Sequence, residues 1–483
     1  MAGKVAAVVL AAGRSTRFNS KRSKLLHTLC GKPMLDWVLD AAAEQQPAQI
    51  VVVYGENSAA LLETYGGKWR GIPVAWALQD PPLGTGHALE QAFPALSDDI
   101  THLLVLPGDA PLIRASELAG LVELLEHGGF DHVMCTALTP QPDGLGRVVR
   151  APERPEAVGQ VVERNEKGYA HLDTQEINTG IYLFSRKILD DLQRANEAFG
   201  MDEGKGEYYL PRVCGVAPTL AHCIAGLDFP VGVDDRSALA EAEAVLLRRI
   251  RKAWMERGAT FRLPETTYIE HDVELARDVE VGPHNVLLNS TRIGEGTVLV
   301  QGCLLDNCAV GANCELRQVR GLDAVVGDNV QAGPYVNLRP GTVLHDNVKV
   351  GNFVETKNAD VGAGSKLPHL QYIGDATMGE GCNIGAGTIF CNYDGFSKLH
   401  TTLGNGVFVG SNSSLQGGIE IGDEGYVAMA SAITRDIPAG ALGIGRARQE
   451  NKDGYVEKLK DRLKKRKDRQ PEQNAGGSDE HHR

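Results

Sequence analysis

The sequence lacks three features that would place it in other classes of protein. It has no run of about 18 apolar residues, so no membrane-spanning helix is expected. Its nine cysteines form no C-x-x-C pair, which favours free thiols in a reducing compartment over a zinc site. Acidic residues outnumber basic ones by 62 to 49, for a formal net charge of −13. This balance argues against broad nucleic-acid binding but leaves room for phosphorylated small molecules.

The composition is that of an ordinary globular protein, with 42% hydrophobic and 23% charged residues. A chain of 483 residues suggests about two to four domains. The first residues, MAGKVAAVVLAAG, are predicted to form a β-strand rather than a signal peptide. The expected location is therefore the cytoplasm, and neither a membrane nor a nucleic acid is an expected partner.

The first half of the chain alternates short apolar segments with longer helical patterns. Strands are predicted at residues 5–10, 50–54 and 102–106, and helices at 33–44, 87–93 and 115–127. This alternation predicts a Rossmann-like α/β domain with a mostly parallel sheet over residues 1–235. Residues 236–258 are rich in Ala, Leu, Arg and Glu and end in Gly, which predicts a connecting helix.

The second half follows a different pattern, in which an aliphatic residue followed by glycine recurs at multiples of six. Gly282 and Gly294 are 12 residues apart, and Gly404, Gly410 and Gly422 follow at intervals of 6 and 12. Such hexads predict a left-handed parallel β-helix over residues 259–450. The phase breaks near 312–325 and 386–403 predict inserted loops. Residues 451–483 are predicted to form a basic helix and a disordered tail, with anion binding as the open alternative.

Three segments of the first half suggest a phosphate-binding site. Residues 10–24, LAAGRSTRFNSKRSK, place a loop with Gly, Ser, Arg and Lys directly after a strand, where backbone N–H groups can approach phosphates. The spacing is not that of a P-loop. Residues 79–87 read QDPPLGTGH, and residues 106–112 read LPGDAPL. The latter place Asp109 at the carboxyl end of a strand, where α/β sheets bind ligands, although Asp109 alone could equally cap a turn.

These segments, with Glu163 in VVERN, Asn178 in EINTGIY and Asp235 in VGVDDR, resemble the sugar-phosphate nucleotidyltransferase family. Over about residues 4–450 the chain resembles bifunctional members that join an N-acetylglucosamine-1-phosphate uridyltransferase to a glucosamine-1-phosphate acetyltransferase. The resemblance implies that Lys24 and Arg17 neutralise the triphosphate of UTP, and that Asp109 and Asp235 bind Mg²⁺. It assigns UTP and the UDP-sugar to Leu10, Ala11, Ala12, Gly13, Lys24, Gln79, Gly84, Thr85, Gly146, Glu163 and Asn178.

Polar residues that interrupt the hexads suggest a second site on the rim of the β-helix. They occur in NLRPGT, NFVETKN, KLPHLQYIGD and CNYDGFSK, where a solenoid interior would require aliphatic residues. The resemblance implies that His369 is the base for acetyl transfer from acetyl-CoA to glucosamine 1-phosphate. It assigns this sugar to Arg339, Lys357, Tyr372 and Asn383. It assigns acetyl-CoA to Ala386, Asn392, Tyr393, Ser411, Met429 and Arg446, and it implies a homotrimer with sites shared by neighbouring chains.

The chain departs from the family pattern at four positions. Asp235 stands where Asn is usual, Ser15 where Gly is common, Ser23 where Pro commonly precedes Lys24, and Met429 where a small residue is typical. Two alternative functions remain open on sequence grounds. The chain could be a sugar-1-phosphate nucleotidyltransferase whose β-helix serves only oligomerisation or regulation, or it could be an inactive binding scaffold. The polar cluster between residues 339 and 398 argues against the first alternative, and Lys24 with Asp109 argues against the second.

Overall fold

The structure is a computed structural model that describes residues 4–13, 15–56, 60–142, 144–164, 166, 168–201, 206–224 and 232–468. The predicted disordered tail beyond residue 468, and Arg14 of the phosphate loop, lie outside the described residues. Helices α1 to α8 of the described chain, in order, are Met34–Ala43, Ala60–Thr64, Thr85–Ala92, Ala115–Leu118, Leu121–His127, Ile188–Phe199, Arg236–Glu256 and Tyr455–Asp468. None of these helices is long and apolar enough to cross a membrane.

Ten of the twelve strands described in the first half form one sheet, with helices packed against it, and the other two pair with each other. Strands β1 to β12 are Val5–Ala11, Thr28–Leu29, Lys32–Pro33, Gln49–Tyr54, Lys68–Trp69, Ile72–Leu78, His102–Pro107, His132–Leu138, Arg147–Ala151, Arg154–Val162, Glu176–Ser185 and Thr219–Cys223. The sheet order is β5-β6-β4-β1-β7-β11-β8-β12-β10-β9. Strands β6, β4, β1 and β7 are parallel, whereas β11 is antiparallel to both β7 and β8. The predicted α/β fold is confirmed, and the loop of residues 10–24 follows the parallel strand β1.

The apolar residues of β1 explain why it lies at the centre of the sheet. Ala6, Ala7, Val8 and Val9 are fully buried, because helices cover both faces of the parallel strands. Alternate residues of β1 therefore belong to two separate cores, Ala7 and Val9 to one and Ala6 and Val8 to the other. Packing on both faces fixes the position of β1, and therefore also the position at which the following loop begins.

The second half is a left-handed parallel β-helix, as predicted from the hexads. Its strands β13 to β38 are Thr260–Phe261, Tyr268–Ile269, Glu274–Leu275, Glu280–Val281, Val286–Leu288, Arg292–Ile293, Val298–Gln301, Leu304–Asp306, Ala309–Val310, Glu315–Arg317, Val319–Leu322, Val325–Val326, Gln331–Ala332, Val336–Leu338, Val343–Leu344, Lys349–Val361, Lys366–Met378, Asn383–Ile384, Ile389–Cys391, Thr401–Leu403, Phe408–Val409, Ser414–Gln416, Glu420–Ile421, Tyr426–Val427, Ala432–Ile433 and Leu442–Gly443. From β13 to β24 each strand pairs with the third strand after it, which gives three sides per coil.

Aliphatic side chains from successive coils stack into one continuous core. Val281 pairs with Leu299, and Leu299 pairs with Leu316 in the next coil. Small polar residues line the inner corners: the Thr297 hydroxyl donates to the Gly311 carbonyl (2.8 Å) and accepts from the Cys314 amide (3.0 Å). Such bonds satisfy buried backbone groups where the chain turns. All nine cysteines are free thiols.

The two predicted phase breaks have different structural causes. Around residues 386–403 a loop is inserted, because Ala376 pairs with Thr401, 25 residues later, instead of the usual 17 or 18. Around 312–325 the prediction of an inserted loop is wrong. There Val310 pairs with Val326 and Leu316 with Ala332, so this coil is shortened to 16 residues. A deletion disturbs the hexad phase as an insertion does, but it adds no surface loop.

Helix α7 joins the two halves through side chains that contact both. The Glu243 carboxylate accepts the Cys30 amide (2.9 Å) from the first half and the Tyr268 hydroxyl (3.0 Å) from the β-helix. The buried Arg251 guanidinium donates to the Thr267 carbonyl (3.1 Å) in the first coil.

The predicted helix at 115–127 is instead two helices, because Gly120 adopts a left-handed φ of 79° between them.

Candidate active sites

A cavity of about 700 Å³ opens at the carboxyl ends of β1, β6 and β7. The loop after β1, Gln79 after β6 and Asp109 after β7 all reach it, which is the ligand position expected for a parallel sheet. Eleven of the residues assigned by resemblance line it: Leu10, Ala12, Gly13, Arg17, Lys24, Gln79, Gly84, Thr85, Asp109, Glu163 and Asn178. The structure thus brings distant segments of the sequence together around one cavity.

Two assigned residues lie beside the cavity rather than on its wall. Ala11 is buried under the loop, where it packs near the backbone of Gly108. Gly146 lies behind Glu163, since a Cβ at position 146 would fall 2.7 Å from the Glu163 Oε1 atom. The Gly146 carbonyl also accepts the Asn178 amide at 2.9 Å. Gly146 therefore lets two of the wall residues come close to each other.

The loop after β1 contains two of the departures from the family pattern, Ser15 and Ser23. Ser15 adopts a left-handed φ of 53°, the conformation that glycine would adopt most easily. Ser23 has φ −52° and ψ 136°, angles that a proline could also adopt. Both residues therefore adopt backbone angles that the residue usual in the family could also adopt. Gly84 is required by close packing, because a Cβ there would lie 2.6 Å from the Tyr208 carbonyl oxygen.

The most buried charged group of the cavity is the ammonium of Lys24. Its Nζ atom lies 2.6 Å from an Asp109 carboxylate oxygen and 3.2 Å from an Asp234 carboxylate oxygen. It also donates to the Val233 carbonyl at 3.1 Å. Burial alone lowers the pKa of Lys24, but the charges and hydrogen bonds of Asp109 and Asp234 outweigh it and raise that pKa above its ordinary value. The lysine is therefore held as a cation.

Asp234, not the predicted Asp235, faces the cavity. The Asp109 carbonyl accepts the Val233 amide at 2.8 Å, which fixes the loop of residues 232–234 beside Asp109. The exposed Asp235 is the N-cap of α7, and its carboxylate accepts the Ala238 amide at 2.9 Å. A carboxylate that caps a helix points along the helix axis toward its free amides. The structure therefore does not place the Asp235 carboxylate at the cavity as the metal assignment requires, and the neighbouring residue takes that position.

This correction makes a prediction about two adjacent aspartates. Asp235→Ala is expected to cost about 1 kcal/mol of unfolding free energy through loss of the cap, while nucleotidyl transfer per folded molecule is kept. Asp234→Ala is expected to lower nucleotidyl transfer with a smaller effect on unfolding. Urea denaturation and a pyrophosphate-release assay on both variants measure the two effects. A loss of transfer confined to Asp235→Ala would restore the original assignment.

The carboxylates near Lys24 suit a magnesium ion. Asp109 and Asp234 offer hard oxygen ligands, and Mg²⁺ typically takes one or two protein carboxylates and completes its shell with phosphate and water. Among the described residues no group of three or more His, Cys, Asp or Glu side chains is placed to hold a metal ion. A pair of carboxylates beside an open cavity fits a metal bound jointly with a phosphorylated substrate better than a closed protein site.

Several wall residues of the cavity were missed by the sequence reasoning. They are Ser15, Thr16, Pro82, Ala88, Pro107, Gly180, Tyr182, Glu207, Tyr209, Leu210, Pro211 and Asp234. Tyr208 fixes one group of them, because its amide donates to the Leu83 carbonyl and its carbonyl accepts the Gly86 amide, both at 2.8 Å. The Asn178 side chain donates to the Tyr182 hydroxyl at 2.8 Å.

The second candidate site is a polar cluster around Asp375 on the β-helix. The Asn358 side chain donates to the Asp375 carboxylate at 2.8 Å, and the Asn392 side chain donates to its other oxygen. The Tyr372 ring folds over Gly374, where its hydroxyl lies 3.4 Å from the Asn392 amide nitrogen. Gly374 is needed there, since a Cβ would fall 2.4 Å from the Tyr372 hydroxyl.

Positive charges surround this cluster. A hydrogen-bonding interaction with Lys398, together with the repulsion of its positive charge, lowers the pKa of Lys357 below its ordinary value. Burial raises the pKa of Asp375, but its hydrogen bonds and the nearby lysines together hold that pKa below its ordinary value. Arg339 pairs with Glu355 at 2.8 Å on the neighbouring coil. Several basic side chains gathered on one surface favour an anion such as a phosphate.

The inserted loop supplies part of this cluster. Leu399 donates its amide to the Asn392 carbonyl at 2.8 Å, which closes the loop, and Asp394 accepts the amides of Phe396 (2.7 Å) and Ser397 (2.6 Å). Tyr393 bridges to Lys398 across the loop and is exposed. The loop therefore places Lys398 beside Lys357. Lys398 lay in the polar cluster noted in the sequence but was not assigned to a substrate.

The remaining assigned residues extend along the β-helix. His369 is exposed on β29, and Asn383 follows on the next strand. Among the described residues no side-chain hydrogen bond joins either of them to the Asp375 cluster. Ala386, Ser411 and Met429 occupy one corner of successive coils, as the Ala386 carbonyl accepts the Asn412 amide (2.7 Å) and the Ser411 carbonyl accepts the Ala430 amide (2.8 Å). Met429 and Arg446 are exposed.

Comparison with known proteins gives matches to both halves of the chain. Residues 7–203 match the model of the MobA-like NTP transferase domain, and residues 323–358 match that of the bacterial transferase hexapeptide (six repeats). The bifunctional protein GlmU of Listeria welshimeri is 39% identical, over 94% of this chain and 98% of the relative. The GlmU proteins of Pelobacter propionicus and Shouchella clausii are 38% and 37% identical, again over 94% of this chain, and over 99% and 98% of their own lengths. The chain therefore belongs to the family of bifunctional GlmU proteins.

Proposed function

We propose how two separate sites carry out the two reactions of this enzyme. As a member of its family the chain is a bifunctional transferase of UDP-N-acetylglucosamine synthesis, with uridyltransferase and acetyltransferase activities. The uridyltransferase site is proposed to be the cavity of the α/β half, and the acetyltransferase site the Asp375 cluster and its surroundings. The observation that carries the first assignment is the buried Lys24 ammonium between Asp109 and Asp234.

In the uridyltransferase site the protein needs to position two substrates rather than supply a nucleophile. The 1-phosphate oxygen of N-acetylglucosamine 1-phosphate attacks the α-phosphorus of UTP, and the bond to the β-phosphate breaks to release pyrophosphate. The loop after β1 and Gln79 are proposed to hold the uridine, and Arg17 and Lys24 the triphosphate. Glu163 and Asn178, with Gly146 behind them, are proposed to hold the sugar. Catalysis then comes from orientation and charge neutralisation.

Asp109 and Asp234 are the residues that would hold Mg²⁺. The family and its NTP transferase domain are consistent with a requirement for a divalent metal, and the choice of Mg²⁺ is part of the proposal. When bound, the ion would neutralise charge on the phosphates and align them. Asp109 would remain anchored through its backbone bond to Val233 (2.8 Å), so that the ion and the loop of residues 232–234 share one rigid support.

In the acetyltransferase site His369 is proposed to take a proton from the 2-amino group of glucosamine 1-phosphate. The nitrogen attacks the carbonyl carbon of the acetyl thioester, and coenzyme A leaves as its thiol. Arg339, Lys357 and Lys398 are proposed to bind the sugar phosphate, with help from Tyr372 and Asn383. The corner formed by Ala386, Ser411 and Met429 is proposed to hold acetyl-CoA together with Asn392, Tyr393 and Arg446.

The assignment of Lys398 to the sugar phosphate can be tested by substitution. Lys398→Ala is expected to raise the KM for glucosamine 1-phosphate by about 10-fold with little change in kcat, because a charge-assisted contact to a ground-state phosphate is lost. Lys349→Ala, an exposed lysine on the strand that carries Lys357, is the matched control and should leave KM unchanged. Equal KM values for both variants would remove Lys398 from the site.

We also propose that the second site is completed by other copies of the chain in a homotrimer. The hexapeptide repeats and the family are consistent with an oligomer. Tyr335 and Phe353 stack at 5.1 Å along one corner of the β-helix and continue into Leu370, and all three side chains are more than half exposed. His369 is the neighbour of Leu370, so a chain that covers this apolar column would also enclose His369. Light scattering should give three times the chain mass, and a monomer would contradict the proposal.

The order of the two reactions follows from their chemistry. Acetyl transfer is proposed to come first, so that the cavity receives an N-acetylated sugar phosphate. Pyrophosphate release from UTP should then be much faster with N-acetylglucosamine 1-phosphate than with glucosamine 1-phosphate as acceptor. Equal rates with the two acceptors would contradict this order.

The predicted cytoplasmic location stays a prediction.

A further inference from the structure

The ion-pair network of the cavity has a feature that binding of substrates alone does not explain. The groups proposed to bind the metal and the groups proposed to bind the triphosphate contact one another directly. Lys24 lies 2.6 Å from Asp109 and 3.2 Å from Asp234, and Arg17 lies 2.8 Å from the other oxygen of Asp234. The cations proposed to bind the triphosphate therefore form ion pairs with the carboxylates proposed to bind the metal.

Burial makes this engagement strong for one of the two cations. The Lys24 side chain is 7% exposed, whereas that of Arg17 is 70% exposed. The Lys24–Asp109 contact is therefore screened little by solvent, and the Arg17–Asp234 contact is screened largely. A divalent cation that coordinates both carboxylates competes with the Lys24 ammonium for them, because two cations held by the same pair of carboxylates repel each other.

We propose that Lys24 acts as an internal stand-in for the metal ion, and that its displacement couples metal binding to triphosphate binding. Without metal, the ammonium keeps Asp109 and Asp234 close together at the mouth of the cavity. With metal, Lys24 moves from the carboxylates and becomes available to the phosphates. Asp234 sets the strength of this coupling, since it holds Arg17 as well as Lys24. The inference rests on the proposed uridyltransferase site and adds an exchange of cations to it.

The exchange predicts that a lysine outside the metal's own ligands opposes metal binding. Lys24→Met removes the internal cation but keeps a side chain of similar length. In the absence of nucleotide this variant is expected to bind Mn²⁺ about 10-fold more tightly than the unaltered protein, within the usual range of coupling between sites. A Lys24 that serves only to bind phosphate would leave Mn²⁺ affinity unchanged, and that result would overturn the proposal.

The same exchange predicts opposite effects for Asp234. Asp234→Asn is expected to weaken Mn²⁺ binding in the absence of nucleotide and to strengthen UTP binding in EDTA, because Arg17 and part of Lys24 are released. Asp235→Asn is the matched control and should change neither affinity, since its carboxylate caps a helix. This variant pair keeps the test decisive even when Lys24→Met folds poorly. Weaker UTP binding by Asp234→Asn in EDTA would contradict the exchange.

Displacement of the ammonium can be measured directly on the unaltered protein. Lys24 should react slowly with an amine-acylating reagent in EDTA and several-fold faster after addition of Mn²⁺, as measured by peptide mass spectrometry, with Lys4 as the exposed reference. Equal labelling in both states would overturn the proposal. The proposed function has a separate readout. Absence of UDP-sugar formation would reject the uridyltransferase assignment, whereas formation of product with metal-independent labelling would reject the exchange alone.

Discussion

Asp109→Asn is expected to lower uridylyl transfer by about a thousand-fold, equivalent to ~4 kcal/mol of transition-state stabilisation, and to leave acetyl transfer unchanged. The residue holds the buried Lys24 ammonium at 2.6 Å and is one of two carboxylates proposed for the metal. The isosteric amide of asparagine keeps the shape of the site. It loses the negative charge that holds the Lys24 ammonium and is proposed to hold the metal ion. Pyrophosphate release and acetyl transfer should be measured on the same preparation.

A folding control is needed because the Asp109→Asn substitution would leave Lys24 with only one carboxylate. Asp98→Asn alters a fully exposed carboxylate of the same half and should affect neither reaction. Loss of both activities in Asp109→Asn would indicate a folding defect. Uridylyl transfer within a few-fold of the unaltered rate would remove Asp109 from the catalytic centre.

His369→Ala is expected to lower the kcat of acetyl transfer by about 100- to 10,000-fold, the usual contribution of a general base, with uridylyl transfer unchanged. The exposed position of His369 beside Leu370 leaves its ring free to meet a substrate at the proposed shared site. The loss should diminish as pH rises, because the substrate amine then loses its proton to solvent without the help of the protein.

The control for this variant is another histidine of the β-helix. His345 lies half-exposed on a coil before the site and pairs with Asp360 at 2.8 Å. His345→Ala should keep both activities. Near-normal kcat in His369→Ala, or an equal loss in His345→Ala, would reject His369 as the base.

The fold could be predicted from sequence because its two halves follow different periods. Buried strands such as β1 alternate with helices in the first half, and the hexads set the coils of the second. The hexads could not show whether a phase break comes from an insertion or from a deletion. A coil shortened to 16 residues near 312–325 and the insertion of residues 386–403 disturb the repeat in the same way, and only the register of pairing separates them.

The expectation that Asp235 faces the cavity fails for a physical reason that the sequence contained. A helix predicted to begin at residue 236 makes residue 235 its N-cap, and aspartate is a favoured N-cap residue. The Asp235 carboxylate is therefore expected to accept a helix amide, so that Asp234 is the aspartate that faces the cavity. The position of Asp235 within VGVDDR does not by itself reveal this local preference.

Other parts of the site could not be predicted, because they depend on contacts between distant segments. Glu207 and Tyr209 line the cavity only because Tyr208 pairs with Leu83 and Gly86. Lys398 lies near Lys357 of an earlier coil because it belongs to an inserted loop that closes through the Tyr393–Lys398 bridge. No spacing within either segment indicates these meetings, which arise from the tertiary fold.

The claim of two active sites on one chain is tested most directly by mass spectrometry of the products formed from glucosamine 1-phosphate, acetyl-CoA, UTP and Mg²⁺. The account predicts UDP-N-acetylglucosamine when all four are present, and N-acetylglucosamine 1-phosphate alone when UTP is omitted. Formation of a UDP-sugar only when N-acetylglucosamine 1-phosphate is supplied, with no acetylated product from glucosamine 1-phosphate, would contradict it.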